Sequence, residues 1–180
     1  MPNKLKSSAE ELRSLRAISE CGILIAMYVA VNTLSVYVTP TLKLTFSYLI
    51  FGIIGWRFGV VTGALAGGLC DITSYIVYST GALHLGFTLS AALTCTVFGA
   101  FLYRQKISLW RVAVSRILIN ILINIALNTF WLSNLYGKAY IVLLGERLVK
   151  NILLLPVEIT LLFAVLMACE KILAAVRGVK

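Results

Sequence analysis

The alternation of apolar and polar positions divides the chain into six apolar runs, at about 20–38, 44–56, 58–79, 87–103, 109–136 and 147–174. At 1.5 Å per residue most of these are long enough for a hydrocarbon core roughly 30 Å thick. The second run, about 13 residues, covers only about 20 Å and needs a loop, residues 39–45, to complete its wall. The predicted fold class is all-α: an integral membrane bundle of six transmembrane helices, the second span short, forming a single membrane domain over residues 1–180.

Punctuation residues set the boundaries. Residues 1–18 are polar and basic, and Ser7-x-x-Glu10 and Ser8-x-x-Glu11 have capping-box spacing, which predicts a short interfacial helix. Pro40 ends the first span, with Thr39 to Lys43 as a short loop, and Arg57 marks a turn after the second. Gly59, Gly63 and Gly67 recur at steps of four and predict close packing of the third span on a neighbouring helix. Ser79 to Gly86 make the next loop, Gly137 breaks the fifth span, and Lys138 to Glu146 make a third loop. Pro156 cannot donate to the Ile152 carbonyl, so a kink is expected in the sixth span.

Composition agrees with a membrane setting: 60% of the 180 residues are hydrophobic, and the mean hydropathy is +0.95. The net charge of +9 would suggest nucleic acid in a soluble protein. Here its distribution sets topology, and no nucleic-acid partner is expected. With six spans and both termini cytoplasmic, eleven positive residues lie inside (Lys4, Lys6, Arg13, Arg16, Arg57, Arg104, Lys106, Arg111, Lys171, Arg177, Lys180). Four lie outside (Lys43, Lys138, Arg147, Lys150), the asymmetry of cytoplasmic ends. The four cysteines sit in apolar runs without metal spacing, so neither a metal nor a cofactor is expected.

The fifth run carries the most informative chemistry. Arg116, Asn120, Asn124 and Asn128 recur every four residues within it. Four-residue steps drift only about 40° around a helix, so these groups form one slowly winding stripe, continued by Trp131 and Asn134. Such groups are costly in hydrocarbon and should face the protein interior, as a binding surface or as glue between helices. Depth along each helix places Arg116 and Glu158 in the inner half, where they could form a structural ion pair; the alternative for Arg116 is ligand binding. Asp71 and Asn124 fall at mid-depth, with Tyr75, Tyr78, Asn128 and Trp131 further out and Lys43 and His84 in the outer loops. The cavity so drawn has a carboxylate floor, amide and aromatic walls and a cationic rim. It suits a flat, hydrogen-bonding heterocycle with an anionic tail. Asp71 could instead be a proton relay or pair with Arg116, and His84 could be a solvated loop residue.

At these residues the chain resembles the substrate-binding S components of energy-coupling factor (ECF) vitamin transporters, in particular the folate family. The segments that carry the resemblance are Gly86-Phe-Thr-Leu-Ser-Ala91 and Asn128-Thr-Phe-Trp-Leu-Ser-Asn-Leu-Tyr-Gly-Lys-Ala-Tyr140, with Ala26-x-x-x-Ala30 on the first helix. The resemblance implies vitamin capture outside a bacterial cytoplasmic membrane, then toppling of the S component within the membrane. It implies a transmembrane coupling protein, docked through Ala26 and Ala30, and two cytoplasmic ABC ATPases. Folate would place its pterin on Asp71 and the Asn ladder and its glutamate tail near the cations. The expected ligand residues are Asp71, Tyr75, Asn120, Asn124, Asn128, Trp131, Lys43, His84 and Phe87.

The chain has no phosphate-binding G-x-x-x-x-G-K-[ST] loop, so energy must come from a partner or a gradient, and no inverted repeat points to a secondary transporter. A different vitamin (riboflavin, thiamin, queuosine or biotin) stays open. An enzyme would need a catalytic constellation that one His and isolated acids do not supply. A channel would need a continuous pore rather than an off-centre cavity.

Overall fold

The computed structural model describes residues 7–10, 14–39, 42–78, 84–137 and 140–178. Helix α1 (Leu15–Thr33) leads into a small antiparallel hairpin, β1 (Val36–Thr39) and β2 (Leu42–Leu44). Helix α2 (Ser47–Tyr78) follows, then α3 (Leu85–Leu102). The next rod is composite: α4 (Leu109–Leu118), a π-helical segment (Ile119–Leu127) and α5 (Asn128–Tyr136). Helix α6 (Tyr140–Gly178) closes the chain. Five of these rods are long and apolar enough to cross a membrane. The sixth pass comes from a sharp reversal inside α2.

That reversal sits at Gly59, with φ 81° and ψ −157°, a region open essentially to glycine alone. The two limbs fold back on each other. A Cβ placed on Gly63 would lie 3.8 Å from the Gly55 Cα, whereas a straight helix would separate those residues by about 12 Å. The first limb, residues 47–58, is about 18 Å long at the helical rise and is the short span. The turn therefore falls at Gly59, two residues past the expected Arg57, because only glycine accepts its backbone angles. Helix α3 closes on both limbs: a Cβ on Gly99 would meet the Gly59 carbonyl carbon at 2.5 Å, and one on Gly67 would meet the Ala91 carbonyl oxygen at 2.7 Å. Where hydrocarbon gives little hydrophobic drive, such backbone contact is how helices associate.

The broken helix exposes amides that need partners, and the N-terminal segment supplies them. The Ser8 hydroxyl donates to the Phe58 carbonyl (2.6 Å) and accepts from the amides of Val61 (3.1 Å) and Thr62 (3.2 Å). Thr62 Oγ1 donates back to the Ser8 carbonyl at 2.5 Å. Ser8 thus caps a helix more than fifty residues away; Glu11, its expected capping-box partner, lies outside the described residues. Arg57 pairs with Glu20 (2.8 Å), which also pairs with Arg16 (3.0 Å), tying the start of α1 to the same corner.

At the opposite end, Asn32 of α1 knots the other side of the limbs. Its amide donates to Ser74 Oγ (2.6 Å), and its oxygen accepts from Ser35 (3.1 Å) and Ser47 (3.4 Å). The core between these two ends is built on Ile54, Phe58, Cys70, Cys95, Phe98, Leu162 and Leu166.

Two boundaries differ from the sequence expectation. Helix α1 stops at Thr33, before residue 38, because the chain turns into the hairpin that replaces an irregular loop. Helix α6 starts at Tyr140, not about 147, since Tyr140 to Leu144 are apolar and continue the helix. The helix runs through Pro156, where Thr160 Oγ1 donates to the Pro156 carbonyl (2.9 Å). Much of α6 is exposed apolar surface (Ile141, Val149, Ile152, Leu153, Ile172), as suits contact with lipid.

Replacing Ser8 with alanine should leave two buried amides of the reversal unpaired. A loss of about 2 kcal/mol is expected, read as a lower unfolding temperature in detergent; an unchanged transition would show that Ser8 does not hold the corner.

Candidate ligand-binding site

The amide stripe is a hydrogen-bonded ladder. Asn124 Nδ2 donates to Asn120 Oδ1 (2.7 Å), and Asn128 Nδ2 donates to Asn124 Oδ1 (3.4 Å). The rungs line up because the segment carrying them is π-helical. Four-residue steps drift forward roughly 40° on an α-helix, and the wider i→i+5 turn removes that drift. Asn120 is buried, and Asn124 and Asn128 are half-buried. Several atoms on this rod have no hydrogen-bond partner among the described residues although they are enclosed: Asn120 Nδ2, Asn128 Oδ1, Thr129 Oγ1 and Trp131 Nε1.

An aromatic cluster caps the ladder at the hairpin end. The Trp131 ring lies 5.3 Å from His84 and 5.1 Å from Phe130, and His84 is 5.8 Å from Phe87. His84 is the N-cap of α3, its Nδ1 accepting from the Gly86 amide at 3.1 Å. The indole lies against the bare backbone of Gly86, where any Cβ would enter the ring. His84 is thereby held as a capping and stacking residue rather than a free loop side chain.

Asp71 sits apart from this cluster. Its Oδ2 accepts from Thr88 Oγ1 of α3 at 2.7 Å. Gly86 and Thr88 are two positions apart, about 200° around α3. Asp71 and Trp131 therefore flank the first turns of the same helix from different sides, and no described contact joins Asp71 to the ladder. Tyr75 lies one turn beyond Asp71 on α2 and is half-buried. The backbone of Lys43 pairs with Tyr37 in the hairpin, but its side chain and that of Tyr136 lie outside the described residues.

At the other end of the rod, Arg116 binds Glu158 of α6 through Nη2 (2.7 Å) and Nε (3.1 Å), and its guanidinium lies 4.4 Å from the centre of the Tyr48 ring. Both hydrogen bonds and the ring contact are intramolecular, so this buried charge is compensated within the protein. Ala26 and Ala30 are exposed on α1, and Gly22 one turn earlier has open space where a Cβ would stand.

Two residues escaped the sequence reading. Thr88 lies inside a quoted motif, but only the fold shows it on Asp71. Arg147 was counted as an outer charge, yet its Nη1 donates to the Asn124 carbonyl at 3.0 Å. The available signal was the apolar stretch Tyr140 to Leu144, which extends the helix and carries Arg147 inside. No group of three or more His, Cys, Asp or Glu among the described residues could hold a metal ion.

The family model for the substrate-specific component of ECF transporters matches residues 16–166. The chain belongs to this family. Among its relatives, the folate transporter FolT of Clostridium novyi (strain NT) is 33% identical over 125 residues, 69% of this chain and 73% of the relative. The folate transporter FolT of Leuconostoc mesenteroides is 26% identical over 144 residues, 77% of either chain. A crystal structure of FolT bound with folic acid matches with a TM-score of 0.79 at 27% identity, over 83% of this chain and 92% of that one. As an ECF substrate-specific component with several apolar spanning helices, the chain is a multi-pass membrane transport protein.

Proposed function

We propose that this S component captures folate on the outer side of a bacterial cytoplasmic membrane and delivers it inward with an ECF coupling complex. The observation that carries the reading is the set of enclosed, unpartnered donors and acceptors on the ladder rod, beside the His84–Phe87–Trp131 cluster. Buried polar atoms without partners are costly, and a heterocycle supplies partners while its faces stack on the rings. The relatives named as folate transporters support folate in particular. In this reading Asp71 accepts from the amino-pyrimidinone edge of the pterin, and the ligand bridges the two sides of α3. Tyr75, Asn120, Asn124 and Asn128 line the site, and Lys43 contributes to a cationic rim for the glutamate tail. Arg116 and Glu158 serve as the structural pair below it.

The termini are cytoplasmic in this arrangement, which puts the His84 end outside. Energy comes from partners: a transmembrane T protein and two ABC ATPases, with no chemistry catalysed by this chain. The exposed Gly22, Ala26 and Ala30 stripe on α1 is the proposed docking face, where small side chains let a partner helix approach.

Three experiments test these statements. Purified protein should bind folate with quenching of Trp emission and prefer it over riboflavin, thiamin and biotin; tight binding of another vitamin without folate binding would overturn the assignment. Asp71→Asn should weaken folate by about ten-fold to a hundred-fold, the effect of losing hydrogen bonds to a charged acceptor, and unchanged affinity would return Asp71 to a structural role. Replacing both Ala26 and Ala30 with tryptophan should leave binding intact and abolish co-purification with the T protein and uptake. Intact uptake would place the docking face elsewhere.

A further inference from the structure

The π-helical segment has a consequence for its own carbonyls. Asn128 N–H bonds to the Ile123 carbonyl, an i→i−5 bond, and α5 begins at this same residue. Where the next donor returns to i→i−4 bonding, it reaches Ile125, so the switch passes over one acceptor, the carbonyl of Asn124. That carbonyl is the one Arg147 holds, through Nη1 at 3.0 Å. A passed-over carbonyl in a membrane interior needs a donor from another helix, and Arg147, seven residues into α6, brings one that is charged. The same Asn124 is the middle rung of the ladder, accepting from Asn128 and donating to Asn120.

We propose that Arg147 is a positioning residue for ligand binding: by donating to the Asn124 carbonyl it fixes the π-to-α switch and so sets the register in which the three Asn amides face the ligand. A relaxed switch would restore ordinary α-helical drift, rotating Asn120 and Asn128 out of line with Asn124. The ligand assignment rests on the folate reading above; the lock on the switch does not. The role differs from that of Arg116, whose hydrogen bonds go to a carboxylate and do not touch the ladder.

The test separates the two. In the ligand-free protein, Arg147→Met should speed amide hydrogen exchange across residues 119–129 on the order of ten-fold, the effect of losing one charged hydrogen bond, and Arg147→Lys should restore part of the protection. Arg147→Gln, polar but shorter, stands in should the Met variant not fold. Unchanged exchange in the folded variant would overturn the lock whatever the ligand is. With folate, Arg147→Met should raise Kd on the order of ten-fold in the native background but under about two-fold when Asn120 and Asn128 are already alanine, because its effect passes through the alignment of those two amides. Equal losses in both backgrounds would make Arg147 a direct ligand contact and overturn the positioning role. Absent folate binding by the unaltered protein would remove the folate reading while leaving the exchange result to decide the lock.

Discussion

Hydrocarbon offers no hydrogen bonds, and this single constraint organises the molecule. Every polar group carried into the spans must find a partner inside the protein or supply one to a ligand. The chain meets the requirement differently along its length. Arg116 takes Glu158 and the Tyr48 ring, Asn32 gathers three hydroxyls, and Ser8 reaches across the fold to the broken turn of α2. The ladder rod gathers four of the seven enclosed polar atoms that have no hydrogen-bond partner among the described residues, from amide, hydroxyl and indole groups. Incomplete pairing beside an aromatic cluster is what distinguishes a recognition surface from helix–helix glue.

Backbone irregularity is paid for by side chains from distant segments. The reversal at Gly59 is closed by Ser8, and the π-to-α switch at Asn128 is closed by Arg147. The two irregularities also serve different ends. The reversal folds α2 into a short and a long limb, against which α3 packs through glycine and alanine backbone. The π segment brings residues four apart into one line, which an α-helix cannot do over nine residues.

Much of this was legible in the sequence. Apolar run lengths gave six passes with a short second one, because hydrocarbon thickness fixes how many residues a span needs. The four-residue recurrence of Asn120, Asn124 and Asn128 was visible, as was the glycine spacing of Gly59, Gly63 and Gly67. What escaped depends on backbone detail. Nothing in the letters distinguishes an α-helical Asn stripe from a π-helical one, since both read as spacing of four. Ser8 looked like a local cap because sequence spacing cannot reveal a partner fifty residues away. Asp71 and Asn124 fall at one depth along their helices, yet depth leaves rotation about the helix axis undetermined, and α3 stands between Asp71 and the Trp131 cluster.

The proposed ligand engages the ladder, the aromatic cluster and Asp71 together across the first turns of α3. A structure of this protein solved with folic acid bound tests that directly. The account predicts the fused ring within hydrogen-bonding distance of both the Asp71 carboxylate and at least one of Asn120, Asn124 and Asn128, with a ring of the His84–Phe87–Trp131 cluster against its face. Folic acid seated away from the ladder, with those amides still unpartnered, would contradict it.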